Sequence, residues 1–102
     1  MENAGIERLK IVSSEVSKLG SHNLSNGYTL KRLHEKAYNI ILGLDTSNGN
    51  RYDDILTGMT DGNWYDLAHK NKGDYESGRK YLLTDIEDAI QRYVKNIELS
   101  AK

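Results

Sequence analysis

The stretch that decides the fold is residues 29–44, which read TLKRLHEKAYNIILGL. Its apolar residues recur at intervals of three and four positions, at Leu30, Leu33, Ala37, Ile40 and Leu44. That interval indicates an α-helix with one buried face, because a helix completes a turn about every 3.6 residues. The pattern therefore predicts a helix with Thr29 as its N-terminal cap and a last turn weakened by Gly43.

A similar pattern precedes this stretch. It predicts a first helix from about Ala4 to Leu19, after which Gly20 is a stop signal. The apolar residues of that helix are Ile6, Leu9, Val12, Val16 and Leu19. Residues 21–28 contain the turn pair Asn26-Gly27 and are predicted to form a loop.

The pattern also follows the stretch, in a long last helix from about Tyr75 to Leu99. Its apolar positions are Leu82, Ile86, Ala89, Ile90, Tyr93 and Ile97. Residues 84–87 match a capping box, so a later start near Thr84 is an alternative. The longer helix is preferred because Leu82 already follows the spacing, and Asp74 is its predicted cap.

Two short helices are predicted between the long ones, at Arg51–Met59 and at Trp64–Lys70, with a break at Asp61–Asn63. Strict alternation of apolar and polar residues is not sustained anywhere, which argues against strands. We therefore expect a single all-α domain over residues 1–102. Its architecture would be a small bundle of four to five helices, with long first, second and last helices and short helices between them.

Composition narrows the functional classes. The chain has no Cys, which excludes disulfides, zinc–thiolate sites and thiol nucleophiles. It shows no secretory signal and no apolar run long enough to cross a membrane, so we expect a cytoplasmic protein. The apolar fraction of 37% is modest, and pairing in a homodimer or small homo-oligomer would supply further burial. Apolar pairs on two faces of the last helix, Leu82-Leu83 and Tyr93-Val94, offer one face for such pairing.

The segment Asp45–Gly78 draws attention because it holds the only Trp and seven of the fifteen acids, against three bases. Aromatic residues among acids and short turns are typical of surfaces that bind a partner. The predicted contact residues are Tyr52, Asp53, Asp54, Trp64, Tyr65, Asp66, His69 and Tyr75. The competing interpretation is that Trp64 and Tyr52 close one end of the bundle as core, with their polar atoms reaching water.

Catalytic and metal-binding patterns are weak. No Ser lies in a Gly-x-Ser-x-Gly elbow, and no glycine-rich phosphate loop is present. Asp66 and His69 could offer a metal only two ligands on one helix face, and the run that begins at Asp45 lacks the Gly and Glu of a calcium loop. The sequence therefore predicts a protein that is not an enzyme and has no cofactor or metal.

The preferred function is contact with a protein partner. Residues encoded by A/T-rich codons are abundant, which favours a phage or mobile-element protein with an accessory or inhibitory role. A first alternative is a helical subunit that binds nucleic acid or a nucleotide. In it, Trp64 or Tyr65 would stack on a base while phosphate is held by Lys70, Lys72, Arg79 or Lys80. A second alternative is a subunit that contributes to a shared active site.

Overall fold

Four helices pack into one bundle in the computed structural model, which describes residues 4–47, 51–60 and 67–100. The helices are α1 (Ala4–Lys18), α2 (Leu24–Ser47), α3 (Asp53–Thr60) and α4 (Lys72–Ser100). Within those ranges there is no strand. The predicted all-α class is therefore confirmed, with long first, second and last helices and a short helix between them.

The apolar stripes predicted from sequence form the core. α1 packs against α2 and α4, and α3 packs against α2 and α4. The core residues of the two N-terminal helices are Ile6, Leu9, Val12, Val16, Leu30, Leu33, Ala37, Ile40, Ile41 and Leu44. Those contributed by the rest of the chain are Tyr52, Ile55, Leu56, Met59, Ala68, Tyr75, Leu82, Ile86 and Ala89. Burial of these side chains is the main force that holds the bundle together.

α2 begins earlier than predicted. The side-chain carbonyl of Asn23 accepts a hydrogen bond from the backbone N–H of Asn26 at 2.7 Å, which is the geometry of an N-terminal cap. The predicted cap Thr29 instead lies inside the helix, where its hydroxyl donates to the carbonyl of Ser25 at 3.0 Å. The predicted loop over residues 21–28 is therefore wrong from Leu24 onwards, because Asn23 is a competent cap.

α4 is continuous from Lys72, as the longer of the two predicted helices requires. Its cap is Asn71, whose side-chain carbonyl accepts from the N–H groups of Gly73 at 2.9 Å and Asp74 at 3.3 Å. The predicted cap Asp74 is therefore wrong by three positions. The capping box at Thr84 is not used, since the hydroxyl of Thr84 donates to the carbonyl of Lys80 in the middle of the helix.

Residues 64–66 of the predicted short helix at Trp64–Lys70 lie outside the described residues. Its last part is a tight turn, in which the N–H groups of Lys70 and Asn71 both donate to the carbonyl of Leu67 at 2.9 Å.

Among the parts of the chain that the structure describes, none of the helices combines the length and apolar character that crossing a membrane requires.

Candidate functional site

Two of the predicted contact residues belong to the core. Tyr52 and Tyr75 are buried, so the prediction that they lie on a contact surface is wrong for both. The hydroxyl of Tyr75 donates to the carbonyl of Gly20 at 2.7 Å, and its ring meets His22 edge-on with 5.5 Å between ring centroids. Burial raises the pKa of Tyr75. The competing interpretation of Tyr52 as core therefore holds, and Tyr75 belongs to the core as well.

Two predicted residues are exposed at the start of α3. Both Asp53 and Asp54 are exposed, and Asp54 forms a bidentate ion pair with Arg92 of α4. The same guanidinium also donates to the carbonyl of Arg51 at 3.0 Å. The hydrogen bond from Arg92 lowers the pKa of Asp54. Asp54 is therefore engaged in holding α3 against α4.

The central aromatic residues of the prediction, Trp64 and Tyr65, lie outside the described residues together with Asp66. Their assignment to a contact surface stays a prediction. His69 is described, and it is half-buried.

His69 stacks on Tyr28, a residue that sequence reasoning missed. The two rings are 4.5 Å apart between centroids and inclined by only 14°. The sequence pattern predicts a loop that includes Tyr28, and residues of a loop are not expected to share a face at helical spacing. Because α2 in fact begins at Leu24, Leu24 and Tyr28 are four residues apart on one helix face. That spacing was the signal available in the sequence.

A glycine allows the turn that carries His69 to lie directly on α2. A Cβ atom at Gly27 would be 2.6 Å from the backbone nitrogen of His69 and 2.8 Å from the carbonyl oxygen of Ala68. Distances this short are not tolerated between non-bonded atoms, and both neighbours are backbone atoms that cannot rotate away. The absence of a side chain at Gly27 is therefore what allows the turn to lie this close to α2.

Exposed apolar side chains surround this contact. Leu24 is 61% exposed, Tyr28 45% and Leu67 42%. We refer to Leu24, Tyr28, Leu67 and His69 as the Tyr28 patch. Amphipathic and apolar groups held on a rigid backbone are characteristic of binding surfaces.

Basic residues dominate the part of the molecule around the patch. We define the Tyr28 end as residues 16–32 and 67–80, which contain seven Lys and Arg and only two acids. Lys31 and Arg32 follow Tyr28 by one helical turn, and Lys70 follows His69. The surroundings of the patch therefore have the opposite charge from the acidic surface that the sequence predicted.

The acids lie elsewhere. We define the α3 end as residues 45–47, 51–60 and 81–95, which contain six acids and three Lys and Arg. Asp85 on α4 is half-buried there, and burial together with the nearby charge of Asp88 raises its pKa to about 6. From Gly27 to Asp45, α2 advances about 27 Å at 1.5 Å per residue. Asp53 and Asp54 consequently do not share a surface with His69.

The described residues 4–47, 51–60 and 67–100 contain no group of three or more side chains placed to hold a metal ion.

Comparisons with protein-family models, curated protein sequences and solved structures find no match for this chain. The geometry and charge of the Tyr28 patch are therefore what a functional argument can rest on.

Proposed function

We propose that this chain is a non-catalytic binding protein that holds a protein partner at the Tyr28 patch. The observation that carries the proposal is the stacked pair of Tyr28 and His69, flanked by exposed Leu24 and Leu67. A large aromatic ring with neighbouring apolar groups gives a partner contact area to bury, and Tyr is among the residues that contribute most to binding energy.

The patch is organised before a partner arrives. Tyr28 is restrained by its stack on His69, and the turn that carries His69 is restrained by its contact with Gly27. Binding then orders few additional side chains, so less conformational entropy is lost when the complex forms. A rigid anchor of this kind suits tight, specific recognition.

The charge around the patch favours an acidic partner. Lys31, Arg32 and Lys70 border the patch, and residues 16–32 contain no acid. Basic residues at the rim of a contact mainly raise the rate of association with a partner of opposite charge. The partner we propose is therefore a protein with an acidic rim around an apolar depression. A small accessory or inhibitory protein of a phage or mobile element remains the role that we propose from composition.

To test this proposal, Leu67 is replaced by a photo-reactive amino acid in the full chain. Crosslinking in cells of the source identifies the partner, and calorimetric titration then measures its affinity for purified variants. We expect Tyr28→Ala to weaken binding roughly 30-fold, the loss of about 2 kcal/mol typical of an anchoring Tyr.

The matched control is Tyr81→Ala. Tyr81 is a similarly exposed tyrosine on α4, 55% against 45% for Tyr28, and it lies outside the patch. We expect this variant to bind as the wild type does. Equal losses from the two substitutions, or no loss from Tyr28→Ala, would move the contact surface away from the patch.

One observation favours a second function, the binding of single-stranded nucleic acid. Basic residues beside stacked rings resemble the combination that holds backbone phosphate and an exposed base. Fluorescence anisotropy with a labelled oligonucleotide at two salt concentrations tests this alternative. Binding that falls steeply with salt and disappears in Tyr28→Ala would favour nucleic acid over a protein partner.

A further inference from the structure

A groove between α1 and α2 is separate from the Tyr28 patch. Its volume is about 360 Å³, and it is lined by Arg8, Ile11, Val12, Glu15, Lys36, Asn39 and Ile40. Val12 and Ile40 are buried and form an apolar floor, whereas Ile11 is 57% exposed. An isoleucine exposed to this degree beside an apolar groove gains burial if another chain covers it.

The charges on α1 are arranged to pair with a copy of themselves. Arg8 and Glu15 both line the groove, seven residues apart, and Ile11 lies between them. Seven residues are about two helical turns, so the three side chains follow one face of α1. If a second α1 runs antiparallel about a two-fold axis near residues 11 and 12, Arg8 of each copy faces Glu15 of the other.

We propose that two copies of this chain form a symmetric dimer in which the α1 helices pack antiparallel along this groove. In the dimer, Ile11 of each copy lies against the apolar surface formed by Val12 and Ile40. Arg8 and Glu15 form two identical ion pairs between the copies. The proposal does not rest on the function assigned to the Tyr28 patch.

The charge distribution of the whole molecule favours the antiparallel arrangement. Residues 4–15 and 35–44 together contain three acids and three bases, so α1 and the part of α2 beside it carry no net charge, although the groove lining itself has one excess positive charge from Lys36. The basic Tyr28 end and the acidic α3 end lie toward opposite ends of α2. A two-fold axis across α1 places the basic end of one copy toward the acidic end of the other, whereas parallel packing would place like charges together.

Sedimentation equilibrium over a range of protein concentrations tests the dimer. The wild type is expected to pass from the mass of one chain, 11.6 kDa, to twice that mass as concentration rises. Arg8→Glu and Glu15→Arg are each expected to raise the dimer dissociation constant roughly three- to tenfold, since each places like charges together at two sites. The double variant Arg8→Glu/Glu15→Arg restores the pairing and is expected to dimerise as the wild type does.

The matched control is Lys80→Glu on α4, which changes the net charge by the same amount as Arg8→Glu but lies outside the groove. It weakens only the long-range attraction between the ends, so it is expected to raise the dissociation constant less than either single variant on α1. Ile11→Glu is expected to abolish the dimer, and circular dichroism confirms that each variant is folded. A wild type that stays monomeric at all concentrations would overturn the proposal. A double variant that fails to recover the association lost in the single variants would overturn it equally.

Discussion

The Tyr28 end and the α3 end are attached to the bundle in different ways. At the Tyr28 end, the backbone of Gly27 contacts the backbone of Ala68 and His69. In addition, α4 contacts α1. The guanidinium of Arg79 donates to the carbonyls of Val16 at 3.2 Å and Ser17 at 3.1 Å. Both carbonyls lie in the last turn of α1, where a helix leaves carbonyl groups without helical partners. The carbonyl of Val16 also accepts from the backbone N–H of Leu19 at 3.2 Å.

At the α3 end, side chains also make connections, and two of these connections involve carboxylates. The buried carboxylate of Asp45 accepts a hydrogen bond from the backbone N–H of Tyr52 at 2.8 Å, just before α3 begins. The ring of His34 donates from Nε2 to the carbonyl of Met59 at 3.0 Å, near the end of α3. Arg92 adds the ion pair to Asp54.

The difference between the two ends has a physical consequence. Close packing of backbone tolerates no added volume but is little affected by salt or pH. Hydrogen bonds and ion pairs to carboxylates tolerate changes of shape but respond to protonation and, where exposed, to salt. We therefore expect the Tyr28 end to be sensitive to side-chain size and the α3 end to be sensitive to solution conditions.

The largest effect is expected from Gly27→Ala. The added methyl group would collide with the backbone at His69, so the turn over residues 67–71 has to move away from α2. We expect a loss of about 3 kcal/mol in the free energy of unfolding, measured by urea denaturation. The stack of Tyr28 on His69 would open as well, and binding at the Tyr28 patch would weaken.

Gly58→Ala is the control for this substitution. Gly58 is exposed on α3, and a Cβ atom there would have no heavy atom within 4 Å. Alanine is the better helix former, so we expect a gain of about 0.5–1 kcal/mol. If both variants changed stability in the same direction, the close approach at Gly27 would not be the cause.

The second largest effect is expected from Asp45→Ala, at the other end of the molecule. This substitution removes the buried hydrogen bond from the backbone N–H of Tyr52 to the carboxylate, which we expect to cost about 2 kcal/mol of stability. Asp53→Ala, an exposed acid on the same side of the bundle, is the comparison and should cost less than about 1 kcal/mol. Similar losses from the two would show that charge, and not the hydrogen bond, is what matters.

The contrast between the ends also explains which features the sequence predicts. The stripe from Leu30 to Leu44 fixes α2 because helical periodicity is a local property, and every member of that stripe is buried. The contact of Tyr28 with His69 joins residues 41 positions apart in the chain, and no local pattern encodes it. The turn propensity of Asn26-Gly27 predicts a turn, but both residues lie in α2. Gly27 instead permits the close contact with the backbone of Ala68 and His69, which a side chain would prevent.

The acidic residues show the same limit, because local sequence patterns do not encode which distant parts of the chain lie together. Sequence reasoning grouped Asp53, Asp54 and His69 into one surface because they are close along the chain. The bundle separates them, since α3 begins at the C-terminal side of α2 whereas the turn with His69 crosses its first turns. No local pattern predicts the burial of Asp45 or the hydrogen bond that it accepts from the backbone N–H of Tyr52.

An intermediate effect is expected from Asp85→Asn, and it depends on pH. The pKa of Asp85 is raised to about 6 in the folded chain from 3.8, by burial and by Asp88, so the charged carboxylate opposes folding above pH 6. As pH falls from 6 towards 4, the folded state takes up the proton first, and the stability of the wild type rises relative to the variant. We expect Asp85→Asn to add about 1–2 kcal/mol at pH 7.5, a value reduced for the water that still reaches the group.

Thermal unfolding of both proteins between pH 4 and pH 8 measures this difference. The advantage of the variant should disappear near pH 4, where Asp85 is largely protonated in the folded protein. An advantage that is constant across this range would show that the substitution acts through packing and not through charge.

The smallest effect is expected from the ion pair of Asp54 and Arg92. A double-mutant cycle with Asp54→Asn and Arg92→Gln should give a coupling of about 0.5 kcal/mol, because the pair is exposed and its charges are screened by water. The pKa of Asp54 is lowered in the folded state, so this contribution is present at pH values above the unfolded pKa of about 3.8 and is lost as pH falls below it. Raising the salt concentration to 1 M should also reduce the coupling.

The stack at the Tyr28 patch carries no such charge pair, so a double-mutant cycle with Tyr28→Ala and His69→Ala should keep its coupling energy in high salt. Equal salt sensitivity in the two cycles would remove the distinction between an end held by packing and an end held by charge.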